Sequence, residues 1–262
     1  MILFVFEGKR REPELYRTIE YLFFSKKETI ICSFCNNIYA LYQKMNASDF
    51  TEDILTILKN ESTGKQNSHL RNIKNRDDIA EIFLFFDYDC HNQNKDQTVT
   101  LDELNNRLSK MLSFFNNETE NGKLYINYPM VESIRYTKKL PDSSYNTYTI
   151  AVSTCTDFKH LADDFSDYGN LDFISFRITK KEELKIPSEA QIKTIKSNWE
   201  MLKTQNVIKA DFICTGNATI PVDKNDINQD RLFHMQISKY VSSKKEIAIL
   251  NSFPVFLFEY LK

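Results

Sequence analysis

The chain begins with five consecutive apolar residues, Ile2-Leu3-Phe4-Val5-Phe6, which stop abruptly at Glu7-Gly8. A run that is apolar at every position predicts a strand buried on both faces. The same pattern returns from Ile82 to Phe86, in a third predicted strand from Ile79 to Phe86, and ends on Asp87-Tyr88-Asp89. Between these runs the spacing turns helical. Pro13 suits the first turn of a helix with Leu15, Ile19, Leu22 and Phe23 on one face. Thr29 to Cys32 predicts a second strand. Asn36 or Asn37 caps a helix carrying Ile38, Leu41 and Met45, and Phe50 to Leu58 predicts another short helix. Asn60 to Asn75 and His91 to Gln97 are polar and predict loops. Thr100 and Glu103 form a capping box ahead of Leu101, Leu104, Leu108 and Leu112. Leu124-Tyr125-Ile126 predicts a fourth strand, with a short helix over Pro129 to Tyr136.

This alternation predicts an α/β fold, a parallel sheet with right-handed crossovers flanked by helices. Such sheets bind ligands beyond the carboxyl ends of their strands. Glu7, Asp87, Asp89 and the Asn127 to Glu132 segment fall there. The pattern changes near residue 140. The polar stretch from Lys138 to Tyr148 predicts a boundary between residues 1–140 and a mainly helical region, 141–262. In the latter, Asp157 to Phe165, Ser188 to Lys203, Asp230 to Val241 and Lys244 to Leu261 read as helices. Asn251-Ser252-Phe253-Pro254 interrupts the last of these or starts a new one.

Composition narrows the picture. The 262 residues, 42% apolar and 27% charged, suffice for one large domain or two small ones. No apolar run reaches the length of a membrane span. The Met1–Phe6 stretch lacks a basic start and meets Glu7, Lys9, Arg10 and Arg11, unlike a signal peptide, so a cytoplasmic location is expected. The five cysteines, at 32, 35, 90, 155 and 214, are odd in number and scattered, which argues against a disulfide framework. Cys32-x-x-Cys35 has no second pair to complete a zinc site. With only five glycines the chain has no glycine-rich phosphate loop. Its net charge of -2 means that nucleic acid would need a local basic patch.

If the first and third strands are neighbours, Glu7, Asp87 and Asp89 converge on one sheet edge. Like charges that close need a cation or a proton between them. Two or three carboxylates can hold one Mg²⁺ and leave positions open to a phosphate. The bland alternative is that Asp87 and Asp89 begin a turn and merely cap the Thr100 region. Spacing alone leaves both open.

Phe4-Val5-Phe6-Glu7-Gly8-Lys9, Glu12-Pro13 and Phe85-Phe86-Asp87-Tyr88-Asp89 together resemble the Toprim domain. That family has a Glu after its first strand and an Asp-x-Asp after its third. The resemblance covers about residues 1 to 136, on short motifs. The Glu-Gly-Lys…Glu-Pro start and Asn127-Tyr128-Pro129-Met130-Val131-Glu132 are most similar to small phage-defence Toprim proteins, RloB-like proteins and the AriB effectors of PARIS systems. One departure is Phe34-Cys35-Asn36, where Toprim domains commonly carry a Gly.

The resemblance implies a metal-dependent nuclease acting on DNA or RNA, tRNA included, as an effector of defence against phage. Glu7, Asp87 and Asp89 would bind Mg²⁺ or Mn²⁺, Glu7 would double as acid or base, and Glu132 would be a fourth acidic residue. The expected partners are a nucleic-acid substrate, an ATPase protein and a second copy of the chain, with no membrane. Lys9, Arg10 and Arg11 are the expected phosphate contacts, against the plainer reading of a solvated turn. His91, two residues past Asp89, is either a neighbour of the leaving group or incidental. Arg135, Lys138 and Lys139 would extend a basic rim, while Trp199 and Tyr240 read as core. The rival reading is a non-catalytic module that docks on an ATPase partner. A small-molecule phosphatase is a third.

Overall fold

The two apolar runs become neighbouring strands. The computed structural model describes residues 1–24, 27–61, 65–91, 99–178 and 183–261. Its main sheet holds β1 (Ile2–Phe6), β2 (Thr29–Ser33), β3 (Glu81–Asp87), β4 (Asn116–Asn117) and β5 (Gly122–Asn127), in the order β2-β1-β3-β5-β4. β1 pairs in parallel with both β2 and β3, so Phe4 lies between Ile31 and Phe83. β5 is parallel to β3 and sets Asn127 opposite Asp87. Only β4, a two-residue Asn-Asn strand with no apolar signal, runs antiparallel.

The helices are α1 (Arg11–Phe23), α2 (Ile38–Ala47), α3 (Ile54–Glu61), α4 (Leu101–Phe114), α5 (Phe158–Phe165), α6 (Glu189–Thr215), α7 (Gln229–Gln236) and α8 (Ser252–Tyr260). Local chemistry sets their starts. The Asn37 side chain accepts from the Ala40 N–H, Thr100 from Glu103, and Ser188 and Gln191 form a capping box. Three predicted segments differ. The helix expected from Phe50 begins at Ile54, because Asp49 and Phe50 take left-handed backbone, φ 50 and 58. The expected loop from Asn60 to Asn75 contains a 3-10 helix, Lys65–Asn72, whose Asn67 side chain bonds both backbone groups of Ser33 on the edge strand. The helix expected from Lys244 is instead β7 (Glu246–Ala248), antiparallel to β6 (Thr149–Ala151). Lys245 at φ 58 breaks the helical run there, and α8 starts afresh at the Asn251 cap. Of the polar loop expected over His91 to Gln97, residues 92–97 lie outside the described residues.

Strand alternation divides the core in two. Leu3, Val5, Leu84, Phe86 and Ile126 face α2, α4 and α7, meeting Leu41, Leu108 and Leu232. Phe4, Phe6, Phe83, Phe85 and Tyr125 face α1, α6 and α8, meeting Leu15, Ile19, Trp199, Phe253 and Phe256. Residues from both sides of position 140 therefore build each core. Trp199 is fully buried and its indole donates to the Ile174 carbonyl at 2.7 Å; Tyr240 is buried as well. Cys90 and Cys155 are joined in a single disulfide, where the sequence argued only against a framework of them; their meeting depends on tertiary topology and leaves no spacing signal. Cys32, Cys35 and Cys214 take no part in a disulfide. Among the described residues no helix is long and apolar enough to cross a membrane.

Phe256 carries much of the second core. Its ring lies 5.0 Å from Phe83, 5.4 Å from Phe85, 5.5 Å from Tyr125 and 5.8 Å from Phe4. Phe256→Ala is expected to cost about 3–5 kcal/mol, read from the urea midpoint. A loss below about 1 kcal/mol would show that α8 is dispensable to the sheet.

Candidate functional site

Because β1 and β3 are parallel neighbours, Glu7 and Asp87 leave the sheet at the same edge. The Glu7 carboxylate accepts the Asp87 backbone N–H at 3.0 Å. The Asp87 carboxylate accepts from the Asn127 side-chain amide at 3.0 Å. On its other side Asn127 accepts from the Ser252 N–H at 3.0 Å and the Ser252 hydroxyl at 2.7 Å. The start of α8 thus fixes Asn127, and Asn127 fixes Asp87.

Tyr88 anchors the Asp-x-Asp turn. Its N–H is shared between the carbonyls of Asn127 and Pro129, and its hydroxyl donates to Asn105 at 2.7 Å. The buried Tyr39 hydroxyl donates to the Tyr88 carbonyl at 2.8 Å. With Tyr88 pinned inward, the chain turns through Asp89 at φ 46, a conformation Asp tolerates, and Asp89 is buried at the edge. His91 follows, its Nε2 3.8 Å from Asp89 Oδ1.

A further carboxylate, Glu12, joins from the first turn of α1. Glu12 is buried, and it turns back to accept the Gly8 N–H at 3.0 Å. A Cβ on residue 8 would stand 2.6 Å from Glu12 Oε2, so glycine is what lets the carboxylate close on the backbone. Glu12 was not among the expected site residues. The signal for it was Gly8 followed four residues later by an acid. Glu132, on the 3-10 helix Val131–Arg135, is half-buried and its charge acts on Glu12.

The electrostatics follow from this crowding. Burial raises the Asp87 pKa well above its ordinary value, and the charges of Glu7, Glu12 and Asp89 push it further; the Asn127 bond opposes them. Burial also raises Glu12, against its backbone hydrogen bonds, and Glu132 adds to the rise. Tyr39 is pushed up by burial, then by Tyr88, Asp89 and Glu7. The donor set is all oxygen and carries surplus negative charge, which suits a hard divalent cation. Among the described residues, however, no three His, Cys, Asp or Glu side chains are gathered closely enough to hold a metal ion. The fit is one of donor chemistry and charge.

The basic residues divide. Lys9 and Arg10 are exposed and line a groove of about 1010 Å³ along β2, with Arg17 and the acids Glu14 and Glu20. Arg11 opens α1, and its charge acts on Glu12. Arg135 does not form a rim. It is buried and ion-paired with Asp163 at 2.5 Å, whereas Lys138 and Lys139 are exposed. Cys35 takes φ 67, and its N–H donates to the Glu7 carbonyl at 2.8 Å. Comparison with protein-family models, with curated proteins and with solved structures gives no match.

The raised Asp87 and Glu12 have a stability consequence. Between its ordinary and raised pKa each group holds more proton in the native state than in the unfolded one. Stability therefore falls as pH rises through that window. Asp87→Asn removes the larger effect and is expected to melt higher than the wild type at neutral pH. The gap should widen in melts taken from about pH 4 to about pH 8; a gap independent of pH contradicts the assignment.

Proposed function

We propose that the chain is a metal-dependent nuclease of Toprim type, hydrolysing phosphodiester bonds of DNA or RNA, tRNA included, as an effector of bacterial defence against phage. The observation that carries this reading is the gathering of Glu7, Glu12, Asp87 and Asp89 where two adjacent parallel strands end, with Asp87 raised by burial first and by its acidic neighbours second. Glu7, Asp87 and Asp89 would hold Mg²⁺ or Mn²⁺, with Glu132 and Glu12 beside them. Bound there, the cation supplies Lewis-acid neutralisation of charge building on the phosphoryl oxygens.

The chain's own residues do the rest. Glu7, held against the Asp87 backbone, accepts the proton of the attacking water. Asn127 and Ser252 keep Asp87 in one orientation. Lys9 and Arg10, on the adjoining groove, contact flanking phosphates. An ATPase partner and a second copy of the chain belong to the same proposal, as does a cytoplasmic setting.

A second reading, a non-catalytic docking module, is favoured by one observation: among the described residues no three potential ligands are gathered together. Cleavage decides between them. The protein is incubated with plasmid DNA and with total tRNA, each with Mg²⁺ or Mn²⁺. Glu7→Gln and Asp87→Ala are expected to lower the rate by about 10²-fold or more while melting cooperatively. Undiminished cleavage by Asp87→Ala sinks the nuclease assignment.

A further inference from the structure

A cavity of about 610 Å³ adjoins the acidic edge, and none of the roles above uses it. Its walls include His91, Ser153, Thr156, Lys244, Lys245 and Glu246. His91 connects it to the site, with Nε2 3.8 Å from Asp89 and Nδ1 buried without a hydrogen-bond partner among the described residues. The lining thus holds two lysines and two hydroxyl-bearing residues with one carboxylate. No ion pair joins Glu246 to either lysine among the described residues; Lys244 lies 5.0 Å over the Tyr240 ring.

The walls are held in place. The Cys90–Cys155 disulfide ties the exit of β3 to the segment carrying Ser153 and Thr156. The β6–β7 pair and the bond from the Val152 N–H to the Lys245 carbonyl, at 2.9 Å, fasten that segment to the lysine turn. Lys245 sits at φ 58, where Gly or Asn would be less strained. A left-handed lysine persists only where its surroundings over-determine it, and such positions cluster at ligand sites.

We propose that this cavity is a phosphate subsite, and that Lys244, Lys245 and the hydroxyls of Ser153 and Thr156 bind the phosphodiester next to the scissile one. The proposal rests on the nuclease reading. In the order of the sheet, the Lys9–Arg10 groove borders β2, Glu7 follows β1 and Asp87 ends β3, whose exit at Cys90 and His91 borders the cavity. Nucleic acid then crosses the acidic edge with a cationic contact on each flank. The C-terminal region supplies one of the two flanks.

The test combines Lys244→Gln with Lys245→Asn, since Asn tolerates the left-handed backbone. Both are made in the cleavage-silent Asp87→Asn protein. Binding of a labelled single-stranded oligonucleotide is followed by fluorescence anisotropy across a salt series, and binding of inorganic phosphate by calorimetry. The double variant is expected to bind about tenfold more weakly, with a log–log salt slope shallower by about one to two. Lys244→Gln alone should give about half that change in slope. Matching melting temperatures show that the loss is not unfolding. Unchanged affinity and slope, with oligonucleotide binding intact in the parent, overturn the subsite and leave the nuclease reading standing. No oligonucleotide binding in the parent, with inorganic phosphate bound and then lost in the double variant, overturns the nuclease reading and keeps the cavity as a site for free phosphate. Binding of neither probe overturns both.

Discussion

The side-chain amide of Asn127 joins two halves of the molecule at one point. Its nitrogen donates to Asp87, and its oxygen accepts twice from Ser252 at the start of α8. The parallel register that sets Asn127 opposite Asp87 depends on both faces of β3 and β5 being buried. One of those faces is covered by α8 itself, through Phe253 and Phe256. Packing of the C-terminal helix and orientation of the central carboxylate are thus one constraint. Removing the amide would leave Asp87 crowded by like charges with less to oppose them.

That crowding works against stability. Burial and three neighbouring carboxylates all disfavour the charged form of Asp87. A fold selected only for stability would place an apolar or amide side chain there. Strain and electrostatic penalty concentrated at one sheet edge are the usual mark of a site kept for its chemistry. The left-handed backbone at Cys35, Asp89 and Lys245 lies around the same edge and its neighbouring cavity.

Much of this was legible in the sequence, for physical reasons. β1 throughout and β3 from Ile82 to Phe86 are unbroken apolar runs, so they read as doubly buried strands. Side-chain caps at Asn37, Thr100 and Ser188 marked helix starts. Glu7, Asp87 and Asp89 stood out because each follows such a strand. Glu12 did not, since an acid in a first turn looks like an ordinary partner of the helix dipole. Only the fold shows it turned back onto Gly8. β7 was missed because Ile247-Ala248-Ile249-Leu250 is a short unbroken apolar run, which periodicity cannot assign. Arg135 looked like surface charge, and its burial against Asp163 depends on where α5 packs. The same is true of Asn127, whose role exists only when α8 arrives.

Divalent-cation binding at the acidic edge is read most directly by calorimetric titration of the full chain with Mn²⁺. Saturable binding is expected in the wild type, weakened at least about tenfold by Asp87→Asn. No binding heat up to about millimolar Mn²⁺, from a protein that melts cooperatively, would contradict it and favour a docking module.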